Sequence, residues 1–260
     1  MSELDERRRK LKQDFTEARG YWSPIWDDLL RLDPDFFAAY LDFSAAPWRH
    51  GSLPPKIKEL MYIAVDASTT HLYEPGLRIH IRNALQHGAT KEEIMEVYQL
   101  TSVLGIHTMT MGVPALLDEV AKAGKPFEEM PLTARQQQLK REFTANRGYW
   151  SPLWDGLLRL APDYFAAYVE LSSVPWKHGK LEPKVKEFVY IAIDAATTHL
   201  YEPGIRIHVA NALNHGATPG EILEVLELVS SIGVHTVTVG VPVLVEELAR
   251  FEAEQKANRR

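Results

Sequence analysis

The feature that most constrains this chain is that it is written twice. Gly20-Tyr21-Trp22-Ser23-Pro24 recurs as Gly148-Tyr149-Trp150-Ser151-Pro152, an offset of 128 residues that holds without insertion or deletion from Gly20 to Leu116. About two-thirds of the aligned positions are identical, and Leu4, Arg7, Lys12, Phe15 and Thr16 extend the match backward onto Leu132, Arg135, Lys140, Phe143 and Thr144. A period this long is a duplicated domain, since solenoid units repeat every 20 to 50 residues or so. The expected units are residues 1–128 and 129–260, joined at Ala123-Gly124-Lys125-Pro126. Like domains on one chain tend to pair about a pseudo-two-fold axis, so sites are expected between the halves. All ten histidines and all six tryptophans fall into repeat pairs. Duplication alone would keep many of them.

Composition removes several classes of function. Of 260 residues, 29 are basic and 35 acidic, a net charge of −6, and the only cationic run is Arg7-Arg8-Arg9-Lys10. Nucleic acid, which needs a basic surface, is not an expected partner. Without cysteine there is no disulfide, thiolate metal site or thiol peroxidase chemistry. The charged N-terminus is no secretory signal, and no stretch reads as the roughly 18 to 20 apolar residues of a membrane span. A cytoplasmic protein with no membrane association is expected.

Pattern and chain breakers predict an all-α fold of two tandem helical domains. In the first repeat, Pro24 to about Leu32 reads as a short amphipathic helix and Pro34 to about Ser44 as a second. A third helix opens at Pro54 or Pro55 and runs to about Thr69. A fourth starts near Pro75 and is closed by Gly88. Thr90 with Glu93, and Thr218 with Glu221, have capping-box spacing. The fifth helix should carry Ile94, Val97, Leu100, Leu104 and His107 on one face until Gly112-Val113-Pro114 breaks it.

The richest segment, Asp66 to His80, is repeated from Asp194 to His208. A loop leading into a helix N-terminus offers free N–H groups to an anion. His80 and His208 are candidates for a general acid or base with a pKa near neutrality, or for structural histidines at the core edge. Arg78 and Arg206 are candidate carboxylate anchors, although Glu74, four residues before Arg78, equally suits an intrahelical pair. His71, Tyr73, His199 and Tyr201 either line a cleft or pack as loop residues. Glu59, Tyr62, Asp66 and Thr70 share one side of the third helix. That stripe is either a solvated face or places Glu59, with Glu187 in the second copy, as a buried carboxylate coupled to the histidine. His107 and His235, on an apolar face, need a hydrogen-bond partner or a ligand. The aromatic stretch Tyr21 to Trp26 is either core or the wall of an apolar pocket. His71, Glu74, His80 and His107 lack the spacing of a helical zinc motif. No metal and no cofactor are expected.

The stretch from Lys56-Ile57-Lys58-Glu59-Leu60 through His80-Ile81-Arg82-Asn83-Ala84 to Glu93-Ile94, closed by Gly105 to Pro114, resembles the carboxymuconolactone decarboxylase and alkylhydroperoxidase-D-like family. Both repeats carry the resemblance. It implies compact all-α domains that pair and often form hexamers, hence a homotrimer of this tandem chain as a pseudo-hexamer. The peroxidase branch bears Cys-x-x-Cys before the histidine that His80 resembles, where this chain has Tyr73 and Gly76, and Tyr201 and Gly204. Glu59 resembles the glutamate of that branch's proton relay. The decarboxylase branch needs neither cysteine nor cofactor, which implies a cofactor-independent lyase of a small carboxylated lactone or aromatic-derived metabolite. In that reading His80, His208, Glu59, Glu187, His107 and His235 are catalytic, and Arg78, Arg206, His71, His199, Tyr73 and Tyr201 bind substrate. An isomerase or hydrolase on the same scaffold, or a non-catalytic small-molecule-binding protein, are the other readings.

Overall fold

The structure, a computed structural model, describes residues 5–128 and 130–258. The repeat match at Leu4 and the outer positions 1–4, 129 and 259–260 of the expected units lie outside the described residues. Among the described residues there are fourteen α-helices, four short 3-10 helices and no strand. In the first repeat these are α1 (Glu6–Arg19), a 3-10 turn at Pro24–Trp26, α2 (Asp27–Leu32), α3 (Pro34–His50), α4 (Pro55–Ala67), α5 (Glu74–Gln86), α6 (Lys91–Ser102), a 3-10 turn at Val103–Ile106 and α7 (His107–Lys122). The second repeats the order as α8 (Ala134–Arg147), a 3-10 turn at Pro152–Trp154, α9 (Asp155–Leu160), α10 (Pro162–His178), α11 (Pro183–Ala195), α12 (Glu202–Asn214), α13 (Pro219–Ser230), a 3-10 turn at Ser231–Val234 and α14 (His235–Asn258). Both capping boxes form, and Gly88 ends its helix region at φ 83°.

The centre is set by α4 and α11. Every residue from Ile57 to Asp66, and from Val185 to Asp194, is buried, as befits a helix enclosed on all sides. The two pack on each other and, with α6 and α13, form one core to which both repeats contribute. Each repeat's N-terminal helices make an aromatic side-core around Phe15, Trp26 and Phe37, or Phe143, Trp154 and Phe165. The first is closed by Val234, Val237 and Val241 and the second by Ile106 and Met109, in each case from the other repeat. The halves are interlocked.

Lys58, Glu59 and Asp66 ride on α4 with at most 3% of their surface exposed. Buried charge is costly unless it is paired. Lys58 Nζ donates to the Pro47 carbonyl at 2.6 Å and pairs with Glu224 of the second repeat at 2.8 Å. Glu224 in turn accepts from the Ser52 and Leu53 amides, and Lys186 with Glu96 mirrors the arrangement. A Cβ on Gly51 would stand 2.0 Å from Glu224 Oε1, which explains the glycine. Glu59 and Asp66 belong to the site below.

Three local readings are corrected. The second predicted helix does not end at Ser44; α3 continues through Pro47 to His50. The ring removes one N–H and one intrahelical bond, and the Pro47 carbonyl is held by Lys58 and by the Gly51 amide. The fifth helix breaks at Val103–Ile106 rather than at Gly112-Val113-Pro114, which lie inside α7. His107 therefore starts a new helix instead of extending the face of Leu100. Finally, Lys91–Lys122 and Pro219–Ala257 each contain an 18-residue window, of mean hydropathy 1.4 and 1.8, long and apolar enough to cross a membrane by composition. Here each is interrupted by its 3-10 turn and contributes to the core, with Met95, Met111 and Leu116, and Val239, Val243 and Leu248, left exposed.

Candidate functional site: two pockets spanning the repeats

The first pocket forms where α4, α5 and the end of α1 meet the 3-10 turn and α14 of the second repeat. His80 Nδ1 lies 2.6 Å from Glu59 Oε2, Asn83 donates to Glu59 Oε1 at 3.2 Å, and the Tyr62 ring stacks on the imidazole at 4.5 Å. Glu59, Tyr62 and Asp66 are thus interior, whereas Thr70, the fourth residue of the stripe, lies past the end of α4 at Ala67 and is exposed. With Nδ1 donating to the carboxylate, Nε2 is the nitrogen left for a ligand. His208 and Glu187 repeat the pair at 2.6 Å, beside Asn211 and Tyr190. The sequence separation of 21 between Glu59 and His80 is spanned by the end of α4, the loop and the first turns of α5.

Each pocket is composite. His235, Ser231, Ile232 and Val234 line the first together with Tyr73, Gly76 and His80, and His107, Val103, Leu104 and Ile106 line the second beside Tyr201, Gly204 and His208. His107 therefore serves the other repeat, because the chain turns at Val103–Ile106. Tyr73 stacks on His235 at 3.8 Å, and its hydroxyl lies 2.6 Å from Thr238 Oγ1; Tyr201, His107 and Thr110 match this. Of the two positions where this chain lacks the Cys-x-x-Cys pair, Tyr73 holds a histidine of the other repeat. The other position, Gly76, faces Asp66, whose Oδ2 would lie 2.3 Å from an added Cβ.

Sequence reasoning missed the most informative residue. Arg19, the last residue of α1, is 5% exposed and lines the first pocket with Tyr21, Tyr40, Tyr62 and His80. Arg147 does the same in the second with Tyr149, Tyr168 and Tyr190. Among the described residues neither guanidinium forms an ion pair. Arg147 donates to Tyr190 Oη at 3.0 Å and the Ser172 carbonyl at 3.1 Å, while Arg19 Nε and Tyr62 Oη lack partners. Burial opposes the charge of Arg19, but Tyr62, Tyr21, Tyr40 and Glu59 outweigh it and raise its pKa. A buried permanent cation facing a pocket is a receptor for an anion. The signal was present in sequence, since Arg precedes Gly-Tyr-Trp-Ser-Pro in both copies.

The remaining candidates divide. Arg78 and Arg206 are exposed, are bound to Glu74 and Glu202, and line neither pocket. His71 Nε2 lies 2.7 Å from His235 Nδ1, and His199 Nε2 lies 2.7 Å from His107 Nδ1. Burial pushes the Asp66 carboxyl up to about 7, with His80 opposing and Glu59 adding; Asp194 is likewise raised to about 7. Burial, then His71 and His80, push His235 down to about 3, and burial, His199 and His208 do the same to His107. Both rings are neutral at pH 7. The cavities are small, about 20 Å³ in the first pocket and 40 Å³ in the second, room for one to a few waters.

A duplicated all-α protein with a buried Glu–His pair, an unpaired arginine and no thiol defines the class. The carboxymuconolactone decarboxylase family profile matches residues 34–117 and 162–242, and the chain belongs to that family. A crystal structure from Burkholderia xenovorans is 48% identical, covers 96% of this chain and 99% of its own, and superposes with a TM-score of 0.91. That protein carries the provisional description of a gamma-carboxymuconolactone decarboxylase subunit. No curated protein matches this chain.

Proposed function

We propose that the protein is a lyase that decarboxylates a small lactone bearing a second carboxylate. The observation that carries this is the placement of Arg19 and Arg147 in the same pockets as the Glu59–His80 and Glu187–His208 pairs. The cavity, which has room for one or two waters here, must open to admit the lactone, and Arg19 then holds the carboxylate that stays. An ion pair to the departing one would stabilise the ground state more than the transition state. The lactone is unsaturated, so as the carbon–carboxylate bond breaks and carbon dioxide leaves, the electron pair of that bond delocalises through the ring double bond into the lactone carbonyl. His80, held at Nδ1 by Glu59, delivers a proton from Nε2 to the ring carbon and takes its replacement from water, which supplies the one proton each turnover consumes. The Tyr62 hydroxyl, which has no protein partner, is the donor for the developing enolate oxygen. The steps run on the chain's own residues and need no cofactor. Tyr73 and His235 wall the site, and His71 backs His235 from outside the pocket lining.

The assembly proposed is a homotrimer, in which the exposed apolar faces of α6, α7, α13 and α14 meet between copies. The description of the similar protein as a subunit supports it, and light scattering at three times the 29.5 kDa chain mass is expected. The function is tested by carbon dioxide release from 4-carboxymuconolactone. Loss of at least about 100-fold in the His80→Ala, His208→Ala double variant is expected for a proton donor. A folded wild type that releases none discards the lyase.

A further inference from the structure

We propose that each pocket carries a binding site for a divalent first-row transition-metal ion, built from Asp66, His71 and His235 in the first and from Asp194, His199 and His107 in the second. Asp66 is 1% exposed, and neither of its carboxylate oxygens has a hydrogen-bond partner in the protein. Of the three buried charges on α4, Lys58 and Glu59 are satisfied and Asp66 is not. Its Oδ1 lies 3.9 Å from His71 Nε2 and 3.8 Å from His235 Nδ1, too far for hydrogen bonds, and the two nitrogens are 2.7 Å apart. A triangle with those edges has a point about 2.1 Å from all three corners, the length of zinc–imidazole and zinc–carboxylate bonds. In the second pocket the corresponding atoms all lie within 4.8 Å of one another, with His107 Nδ1 at 3.7 Å from Asp194 Oδ1.

Two imidazoles and one carboxylate are ligands for zinc, cobalt, iron or manganese rather than calcium or magnesium. Across the 2.7 Å one imidazole donates its N–H to the other, and an ion at the common point would replace that hydrogen bond and displace its proton, with small ring rotations to aim both nitrogens at the metal. The surroundings are those of a supported site. Tyr73 stacks on His235 and is bonded to Thr238, which fixes that ring. Gly76 leaves the space that the Asp66 carboxylate fills. Because His235 comes from the other repeat, the ion would also tie the halves together.

This inference goes beyond the lyase reading and is tested without substrate. The full-length, tag-free chain is stripped with a chelator, freed of it, and titrated with zinc and with cobalt(II). Two ions per chain, a raised Tm and cobalt(II) d–d bands are expected. Asp66→Asn, which keeps the shape and removes the charge, should leave one ion per chain, and Asp66→Asn with Asp194→Asn should leave none. Tyr73→Phe should weaken the first site by about tenfold. Should the asparagine variants misfold, His71→Ala, at a half-buried position, serves in place of Asp66→Asn. Absence of saturable binding by the wild type, or two-ion binding that survives loss of both aspartates or of His71, overturns the proposal.

Discussion

The two pockets use the same charged residues on equivalent helices, yet they are not in the same condition. In the first, Arg19 Nε, Tyr62 Oη and both Asp66 oxygens are buried without partners; in the second, Arg147 donates to Tyr190 and the Ser172 carbonyl, and of the corresponding atoms only Asp194 Oδ2 is both buried and without a partner. The second is the roomier, and Val103 stands in its wall where the first has Ser231. The pairs that would move protons are nearly superimposable, at 2.6 Å in both. Duplication has therefore left the chemistry fixed and let the walls drift. The Arg147 terminal nitrogens already donate to Tyr190 and to the Ser172 carbonyl, bonds that an anion entering the second pocket would have to share.

The largest effect should erase the comparison. Glu224→Ala or Glu96→Ala strands a buried lysine, and a loss of about 3 to 5 kcal/mol is expected from either, since the two ion pairs have the same 2.8 Å geometry. Denaturant unfolding would show it, and unequal losses would mean that the halves are not mechanically equivalent. Arg19→Leu and Arg147→Leu should sharpen the comparison. Each should cost its own site about 10- to 100-fold in kcat/KM for a dicarboxylate, as loss of a charge-assisted bond worth about 1.5 to 3 kcal/mol implies. Only Arg147→Leu should add about 1 kcal/mol of instability by freeing Tyr190 and Ser172. Equal stability of the two variants would mean that the Arg147 hydrogen bonds add nothing over the Arg19 contacts.

A pH series on the chelated protein separates the aspartates from the histidines. A carboxyl raised to about 7 in the fold from 3.8 stabilises below pH 4 and loses that contribution as pH rises through 7. A histidine lowered from 6.5 to about 3 does the opposite, with stability full above 6.5 and lost as pH falls toward 3. Between about 4 and 6.5 the slopes cancel, so this pair should leave the wild type flat. Asp66→Asn should then gain stability relative to wild type as pH rises through that window, on the order of 1 kcal/mol per pH unit. A parallel pair of curves would show that Asp66 does not titrate there. The smallest change is Ser231→Val, which gives the first pocket the wall of the second. Its hydroxyl bonds only the Leu228 carbonyl, so a stability change within about 0.5 kcal/mol is expected, with KM at the first site moving toward that of the second.

The sequence made the periodic parts legible. The capping boxes, the prolines at helix starts and the glycine after α5 are local, and they fell where spacing put them. Glu59 with His80 was reachable because both lie in one repeat. The pocket partners were not, because no local signal says that Val103 to Ile106 tightens into a 3-10 turn and sends His107 to the other repeat. Arg19 was hidden for a related reason. An arginine ending a helix normally complements the dipole at the surface, and only packing under Tyr40, Trp48 and Tyr62 makes it interior. Arg78 is the converse case, with functional spacing and a solvent address.

By itself the sequence determined that this is a duplicated helical chain without thiols, because repeat offset, helical period and composition are properties of the string. Tertiary structure decided which charges are buried and which histidine meets which aspartate. Those contacts cross from one repeat to the other, and the free energy of a charge depends on what surrounds it rather than on its place in the chain.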